Sequence, residues 1–277
     1  MQYLTNAQFP SSLNLSRCWN EFSAGWKKVR RGFSEPSIHD FRVSIRRLVS
    51  ELEFAFAVTH AGEAHTSIRK FRKTLRRFGA LRDIQAHLLR AESENMEWAR
   101  QFSLSLKQCE KDEIHALREW MREKKKKALQ QCFWNTNQKF QDELRGISRS
   151  VVRAAMEAVL RKRFDAVTAS YGFFRSSRNA QDFHRMRIKF KRFRYAAEIA
   201  KPALGVFTKK QMDRMRELQG LMGKIHDLQT YMAAIEEWSG TRVPVRLHQE
   251  YDALMKAFND RPGNFEEFTF QVRTKLQ

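Results

Sequence analysis

The sequence contains few of the residues that interrupt helices. Among its 277 residues there are 11 glycines and 5 prolines. Because these two residue types are the main breakers of helical patterns, their scarcity favours long helices joined by short loops. No segment shows the clean alternation of apolar and polar residues that marks a half-buried strand. The predicted fold class is therefore all-α.

Cysteines and long apolar segments are also rare. The three cysteines, Cys18, Cys109 and Cys132, are odd in number and far apart, which fits reduced cytosolic thiols better than a disulfide framework. No apolar run approaches the ~18 residues that a membrane-spanning helix needs. The start of the chain lacks the charged and apolar regions of a signal peptide. These absences predict a cytoplasmic protein.

Acidic residues are outnumbered. The chain has 52 Lys and Arg against 31 Asp and Glu, a formal net charge of +21 at pH 7. Such a charge predicts a polyanionic partner, namely nucleic acid, an anionic lipid surface or a phosphate polymer. The hydrophobic share of 42 % is enough for a sizeable core at this length.

One fifteen-residue pattern is present twice. HDFRVSIRRLVSELE begins at His39, and HRMRIKFKRFRYAAE begins at His184, 145 residues later. An internal duplication of this kind decides the fold and is sought before anything else. The other shared positions are Arg42 with Arg187, Arg46 with Lys191, Arg47 with Arg192, and Glu53 with Glu198.

A second element repeats in register with the first. GALRD at 79–83 matches GKIHD at 223–227, with an offset of 144 residues. We expect its aspartates, Asp83 and Asp227, to cap a helix or to orient a neighbouring arginine. The duplication predicts a single domain over 1–277. Its N-terminal helical-bundle half covers 1–145, and its C-terminal half covers 146–277.

The helical phase of the two copies separates an apolar face from a cationic one. Positions i, i+3, i+4 and i+7 share one face of a helix, and apolar residues recur at that spacing in both copies. The opposite faces carry cations and no acid until Glu53 and Glu198, whereas most surface rows mix signs. The next helix of the first half adds three arginines. The predicted anion-binding residues are His39, Arg42, Arg46, Arg47, Arg69, Arg72, Arg76, His184, Arg187, Lys191, Arg194 and Arg216.

Glycine and proline also predict where the helices end. We expect breaks at Gly172–Ser177, at Pro202–Gly205, and between Gln219 and Met222. The two halves should meet near Arg145–Gly146. The approximate predicted helices are 13–33, 37–60, 63–78, an interrupted stretch over 80–143, 147–171, one reaching 200, one reaching 219, 222–238 and two C-terminal helices.

Together these motifs resemble the conserved histidine α-helical domain family, or CHAD. The family's His-x-x-Arg-x-x-x-Arg-Arg helix appears at 39–47, and its His-x-x-Arg-x-x-x-Lys-Arg-x-Arg-Tyr helix appears at 184–195. Its paired Leu-Gly-x-x-x-Asp elements appear at 78–83 and 222–227, with Phe or Met in place of Leu. The motifs cover most of residues 35–240.

The resemblance implies two four-helix bundles related by a pseudo-two-fold axis, with a basic cavity between them. It also implies inorganic polyphosphate as the ligand. Many family members carry an attached triphosphate-cleaving domain, which nothing in this sequence resembles, so a stand-alone module is expected. By motif position, the implied phosphate contacts are His39, Arg42, Arg46, Arg72, Arg76, His184, Arg187 and Lys191.

The sequence thus predicts a non-catalytic polyphosphate-binding protein without a cofactor or metal, which could target polyphosphate or other storage granules. The first alternative is a nucleic-acid-binding helical protein, since the net charge would attract nucleic acid in any case. The second is a metal-dependent phosphohydrolase of the HD type, suggested by the pairs His39-Asp40 and His226-Asp227. The duplication argues against it, because neither His-Asp pair recurs in the other copy. The oligomeric state and the preferred chain length stay open.

Overall fold

The structure is a computed structural model that describes residues 14–60, 62–240, 242–261 and 265–272, with the side chains at 123 and 124 left aside. The described residues form helices and no strand, in agreement with the predicted class. None of the described helices is long and apolar enough to cross a bilayer. The helices are α1 Leu15–Arg31, α2 Glu35–Thr59, α3 Gly62–Arg77, α4 Gly79–Glu92, α5 Glu97–Trp120, α6 Glu123–Leu144, α7 Arg149–Ser177, α8 Ala180–Leu204, α9 Lys209–Ser239 and α10 Val245–Asn259, with a 3₁₀ turn at Glu266–Phe268.

The ends of the motif helix α8 follow from local chemistry. The side chain of Asn179 accepts a hydrogen bond of 2.8 Å from the backbone N–H of Asp182, which satisfies one of the free donors of the first turn. Gly205 closes the helix at φ +67°, a left-handed conformation that suits glycine. Pro202 lies inside the last turn instead of ending the helix. Its missing N–H removes only one backbone bond, close to a helix end that Gly205 already defines.

Two predicted breaks are wrong. Helix α7 continues through Gly172 to Ser177, and α9 runs unbroken through Gly220 from Lys209 to Ser239. A glycine inside a helix costs only about 1 kcal/mol relative to alanine. Burial outweighs that cost, because Phe174 and Met222, just beyond the two glycines, are fully buried. The expected connection near Arg145–Gly146 does separate α6 from α7.

The apolar stripes of both motif helices form the main core. Phe41 and Ile45 of α2, and Phe190 and Phe193 of α8, are all inaccessible to solvent, which confirms the predicted faces. This core also takes residues from α1, α3, α4, α5, α6, α7 and α9 and from the 3₁₀ turn. A second, smaller core joins α4, α5, the end of α9 and α10; Phe102 and Tyr231 pack together there with 5.9 Å between ring centroids.

Two contacts between elements position the cationic faces. Helix α2 packs against α8, and α4 packs against α9. Helices α3 and α4 also lie against α2, and α9 lies against α8. Since each motif helix turns its apolar face to its own neighbours, the cationic faces of α2 and α8 are left to meet in the space between them.

Candidate anion-binding site

A cavity of about 480 Å³ lies between α2, α3, α4, α8 and α9. Its wall is made mainly of cationic and polar side chains. Eight of the twelve predicted residues line it, five from α2 or α3 and three from α8. These eight are His39, Arg42, Arg46, Arg72, Arg76, His184, Arg187 and Lys191.

The structure places the other four predicted cations outside the cavity. Arg47, one residue after Arg46 and hence turned by about 100° around the helix, is exposed and lies 3.6 Å from Glu21. Arg69 is exposed on α3. Arg194 is buried and donates hydrogen bonds to Gln219 and Glu198. Arg216 pairs with Asp213 and Glu198.

Sequence reasoning missed four further side chains of the cavity wall. They are Arg82 of α4, Arg192 and Tyr195 of α8, and His226 of α9. A signal for two of them was present, because Arg82 and His226 occupy the same position of the duplicated GALRD and GKIHD elements. That position holds a basic residue in both copies, directly before the matched aspartate.

Arg82 is held firmly by acids. Its Nη1 and Nη2 donate to the two carboxylate oxygens of Asp227 at 2.9 and 2.8 Å, and Nη1 also donates to Asp83 at 3.2 Å. Hydrogen bonding to Asp227 raises the pKa of Arg82. Burial acts to raise the pKa of Asp227, but the bonds and charge of Arg82 outweigh it, and the net shift is downward. Asp83 and Asp227 therefore both orient an arginine. This is one of the two roles that the sequence predicted for them, the other being to cap a helix.

Two more cations of the wall have protein partners. Arg42 Nη1 donates at 2.8 Å to the carbonyl oxygen of Leu75. That oxygen is available because α3 ends at Arg77, and the last carbonyls of a helix lack internal partners. Arg72 pairs with Glu53, which also binds Arg163 of α7. These arginines are oriented by the fold as well as facing the cavity.

The glutamates at the matched position of the two motif helices both hold arginines. Glu53 of α2 binds Arg72 of α3, and Glu198 of α8 lies 3.7 Å from Arg216 of α9. Glu198 is shared with Arg194, which also donates to Gln219 at 2.6 Å. The guanidinium of Arg194 lies 4.4 Å from the ring centroid of Tyr195. Arg194 and Arg216 are therefore engaged in contacts with other protein side chains.

Arg46, Arg187 and Lys191 line the wall with no acid within ion-pairing distance in the described part of the chain. Arg42, Arg76 and Arg192 likewise form no ion pair there. Arg187 is only 7 % exposed, and its Nε has no hydrogen-bond partner among the described residues. Its counterpart Arg42 uses the open end of α3, whereas α9 is continuous at the same point and its carbonyls are occupied.

Burial without a counterion destabilises these cations. Burial first, and then the charges of Arg46 and Arg187, lowers the pKa of Lys191 to about 6. Burial likewise lowers the pKa of Arg187 to about 10, partly opposed by Asp227. Burial also lowers the pKa of Arg46, although Tyr195 acts in the opposite direction. An anion entering the cavity would remove this penalty, because it favours the charged form of each group.

The two histidines that head the rows lie in different environments. His39 is exposed at the cavity wall. His184 is half-buried, with its Nδ1 3.2 Å from Nδ1 of His226 and the ring centroids 4.4 Å apart. Burial and the charge of Arg187 lower the pKa of His226 to about 3, and burial, Arg187 and Lys191 lower that of His184. One ring therefore donates to the other while both are neutral.

The His-Asp pairs do not form a metal centre. Asp40 accepts a hydrogen bond of 3.0 Å from Lys28, on the outside of α2, and Asp227 is taken by Arg82. Within the described ranges, no three His, Cys, Asp or Glu side chains gather in a group that could hold a metal ion. The chemistry that the wall offers is the binding of an anion with several negative charges.

Comparison with known proteins identifies the family and the fold. The family model for the CHAD domain matches residues 14–236, so the chain belongs to the CHAD domain family. Its fold is similar to the crystal structure of the CHAD domain from the plant Ricinus communis, with a TM-score of 0.68, 17 % identity and 98 % of each chain covered. No curated protein sequence matches the chain significantly.

Proposed function

We propose that the cavity between α2 and α8 binds inorganic polyphosphate and does not catalyse its turnover. The observation that carries this proposal is that the two duplicated cationic rows face one cavity, in which Arg46, Arg187 and Lys191 have no acidic partner within the described residues. Membership of the CHAD family is consistent with this ligand.

A phosphate chain suits the geometry of this wall. Arginine presents planar pairs of donors to phosphate oxygens and needs no metal to do so. Each internal phosphate of the polymer carries about one negative charge, so cations spaced along two helices can follow it. For an arginine that stays charged, each unit by which a bound anion raises the pKa corresponds to about 1.4 kcal/mol of favourable interaction with the anion.

We infer that residues 1–145 and 146–277 are the two copies of one helical unit, each forming a bundle beside the cavity. The order of packed helices supports this. Helices α1, α2 and α3 correspond to α7, α8 and the first part of α9, and α4 and α5 correspond to the rest of α9 and α10. In each copy, sequence-adjacent members of the series pack together.

Nucleic acid is the competing ligand. Proteins that bind single strands without sequence preference usually stack bases on aromatic side chains. Among the described residues of the cavity wall the aromatic side chains other than histidine are limited to Tyr195, which is 5 % exposed and covered by Arg194. We therefore expect nucleic acid to bind weakly and through charge alone. The same polyphosphate affinity would allow association with polyphosphate granules in the cytoplasm.

Titration with long-chain polyphosphate and, in parallel, with single-stranded RNA at ~150 mM salt tests the proposal, because salt screens nonspecific charge attraction. Polyphosphate should bind more tightly per unit of charge, and the variant Arg187→Gln should weaken it. Lys189→Gln is the matched control, since Lys189 is exposed on the same helix. Equal binding of RNA and polyphosphate, or equal loss in the two variants, would refute the proposal.

A further inference from the structure

The cavity is too small for a long polyphosphate chain. Its volume is about 480 Å³. Each unit of the polymer has three oxygens, and if each oxygen takes roughly the 30 Å³ of a water molecule, the cavity holds on the order of five units. A chain of tens of phosphates must therefore continue outside the cavity, where its negative charge also needs cations.

Arg76 marks a place where the cavity reaches the outer surface of α3. Arg76 lines the cavity, is exposed and forms no ion pair with the described residues. Lys73, about one turn earlier, and Lys70, one turn before that, are also exposed and unpaired within the described residues. The described acids that lie on α3 or form ion pairs with it already hold other cations; they are Glu53, Glu63 and Glu113.

The start of α6 lies beside the end of α3. Ser67, in the first half of α3, hydrogen-bonds to Thr136 in the second half of α6. Phe78, just after α3, packs on Trp120, shortly before α6, with 5.9 Å between ring centroids. The two helices are therefore antiparallel, and the first turns of α6 adjoin the end of α3 that carries Arg76.

Three lysines lie in these first turns of α6. Lys125 Nζ lies 5.0 Å from the ring centroid of Trp120. Lys126 and the exposed Lys127 form no ion pair with any described residue. Cations near the start of a helix are unfavourable, because the N-terminal end of the helix dipole is itself positive. A bound anion would remove this cost to α6.

The matching stretch of α9 is not cationic in the same way. At the offset of 144 residues, Lys73 and Arg76 correspond to Glu217 and Gly220. Lys70 corresponds to Arg214, which pairs with Glu267 at 3.0 Å. Helix packing at these positions therefore does not require unpaired cations, and the charge of α3 is available to a ligand.

We propose that an outer basic surface binds the part of a long polyphosphate chain that extends beyond the cavity. This outer basic surface consists of Lys70, Lys73 and Arg76 of α3 and Lys125, Lys126 and Lys127 of α6. The inference rests on the proposed function, because the chain reaches the surface from the cavity past Arg76. Lysine ammonium groups act as mobile point charges, which suits a flexible chain that needs no fixed geometry outside the cavity.

The test compares two variants of the full chain that lose the same number of positive charges. The outer-surface variant has Gln in place of Lys70, Lys73, Lys126 and Lys127. The control variant has Gln in place of four exposed lysines of α9 and α10, which are Lys209, Lys210, Lys224 and Lys256. Circular dichroism checks that both variants fold.

Calorimetry with tripolyphosphate and with chains of tens of phosphates, at ~150 mM salt, measures the effect of each variant. In the outer-surface variant, affinity for long chains should fall about tenfold, because each exposed ion pair contributes a factor of roughly two. The slope of log K against log salt for long chains should flatten by up to about three units. Affinity for tripolyphosphate should stay unchanged, as should the affinity of the control variant for both ligands.

The outcomes separate this inference from the proposed function. Equal losses of long-chain affinity in the two variants, or equal losses for short and long chains in the outer-surface variant, would overturn the inference. The proposed function would still stand if Arg187→Gln weakens tripolyphosphate binding. If Arg187→Gln leaves tripolyphosphate binding unchanged, the proposed function and the continuation of the chain from the cavity are both refuted. A loss confined to single-stranded RNA would assign the outer basic surface to nucleic acid and overturn the inference.

Discussion

The carboxylate of Asp227 accepts two hydrogen bonds from the guanidinium of Arg82, of 2.9 and 2.8 Å, although the residues are 145 positions apart in the chain. The pair joins α4 to α9 at the edge of the cavity. It also occupies an acid whose charge acts on both Arg187 and Lys191. Because Arg82 takes both carboxylate oxygens of Asp227, Arg187 and Lys191 form no ion pair with it.

Removing that carboxylate should destabilise the fold. We expect Asp227→Asn to lower the free energy of unfolding by about 1–2 kcal/mol at pH 7, since both side chains are partly exposed and solvent screens the pair. Asp83→Asn, which removes one longer bond, should cost less. The pKa of Asp227 is lowered in the folded state, so its contribution is present above the unfolded pKa and is lost as pH falls through the folded value. Urea denaturation at pH 7 and pH 3 measures both effects; equal costs for the two variants would contradict this.

Charge along the ligand should set the salt dependence of binding. Neutralising Z phosphates makes log K fall with log salt at a slope of roughly −0.7Z, by analogy with single-stranded nucleic acid. Replacing Arg46 and Arg187 together by Gln should weaken polyphosphate binding and flatten the slope by about one to two units. The control replaces Arg47 and Arg69, which lie outside the cavity. If the control pair flattens the slope as much, the cavity is not where the chain binds.

Chain length should matter because both motif helices contribute to one wall. Tripolyphosphate can engage the cations of one row, whereas a longer chain can reach His39 on α2 and His184 on α8 in one binding event. The second contact is then intramolecular and gains from effective concentration. Affinity per molecule should rise from tripolyphosphate to chains of tens of phosphates and then level off. Calorimetry across a length series checks this, and a flat series would show that a single row suffices.

Binding should take up protons, and Lys191 should be the main group that accepts them. Its pKa is about 6 in the free protein and should rise when an anion binds, so affinity should increase as pH falls from about 8 to about 6 and level off below that. His184, with its lowered pKa, should add a smaller part at lower pH.

Calorimetry in two buffers of different ionisation enthalpy measures this uptake directly. Lys191→Gln should abolish most of it near pH 7.5, whereas the double variant of His39 and His184 to Gln should retain most of it. If instead the histidine variant loses the proton uptake and the Lys191 variant keeps it, His39 and His184 are the groups that take up protons on binding.

A buried acid away from the cavity should govern stability at alkaline pH. Glu51 of α2 is 5 % exposed, and burial, followed by the nearby Glu21, raises its pKa to about 8. Because the folded pKa lies above the unfolded one, its stabilising contribution is complete below pH 4.5 and is lost as pH rises through about 8.

Glu51→Gln should therefore stabilise the fold at pH 8, by on the order of 2 kcal/mol, and have little effect at pH 5. Urea denaturation at both values provides the measurement, with Glu237→Gln, which changes an exposed carboxyl on α9, as the control. If Glu51→Gln instead lowers the free energy of unfolding equally at both pH values, the Glu51 carboxyl stabilises the fold through a contact, and its ionisation does not destabilise the fold.

The sequence predicted the helical class, the two motif helices and eight cavity residues, because a helix repeats every 3.6 residues and spacing alone tells which side chains share a face. Phe41 and Phe190 lie on the apolar faces that this spacing predicts, and both are fully buried. The same local logic misplaced the breaks at Gly172 and Gly220. Whether a glycine ends a helix depends on what packs around it, and that information is not local.

Tertiary structure alone decided which cations are available to a ligand. Periodicity treats Arg187 and Arg194 as alike, yet Arg194 is bound by Glu198 and Gln219, while Arg187 keeps an unpartnered Nε. It gives no reason for His226 to meet His184, or for Arg82 to take Asp227. A sequence determines the face on which a charge lies. The partners and the burial of that charged side chain, and therefore its pKa, are determined only when helices that are distant in the sequence pack together.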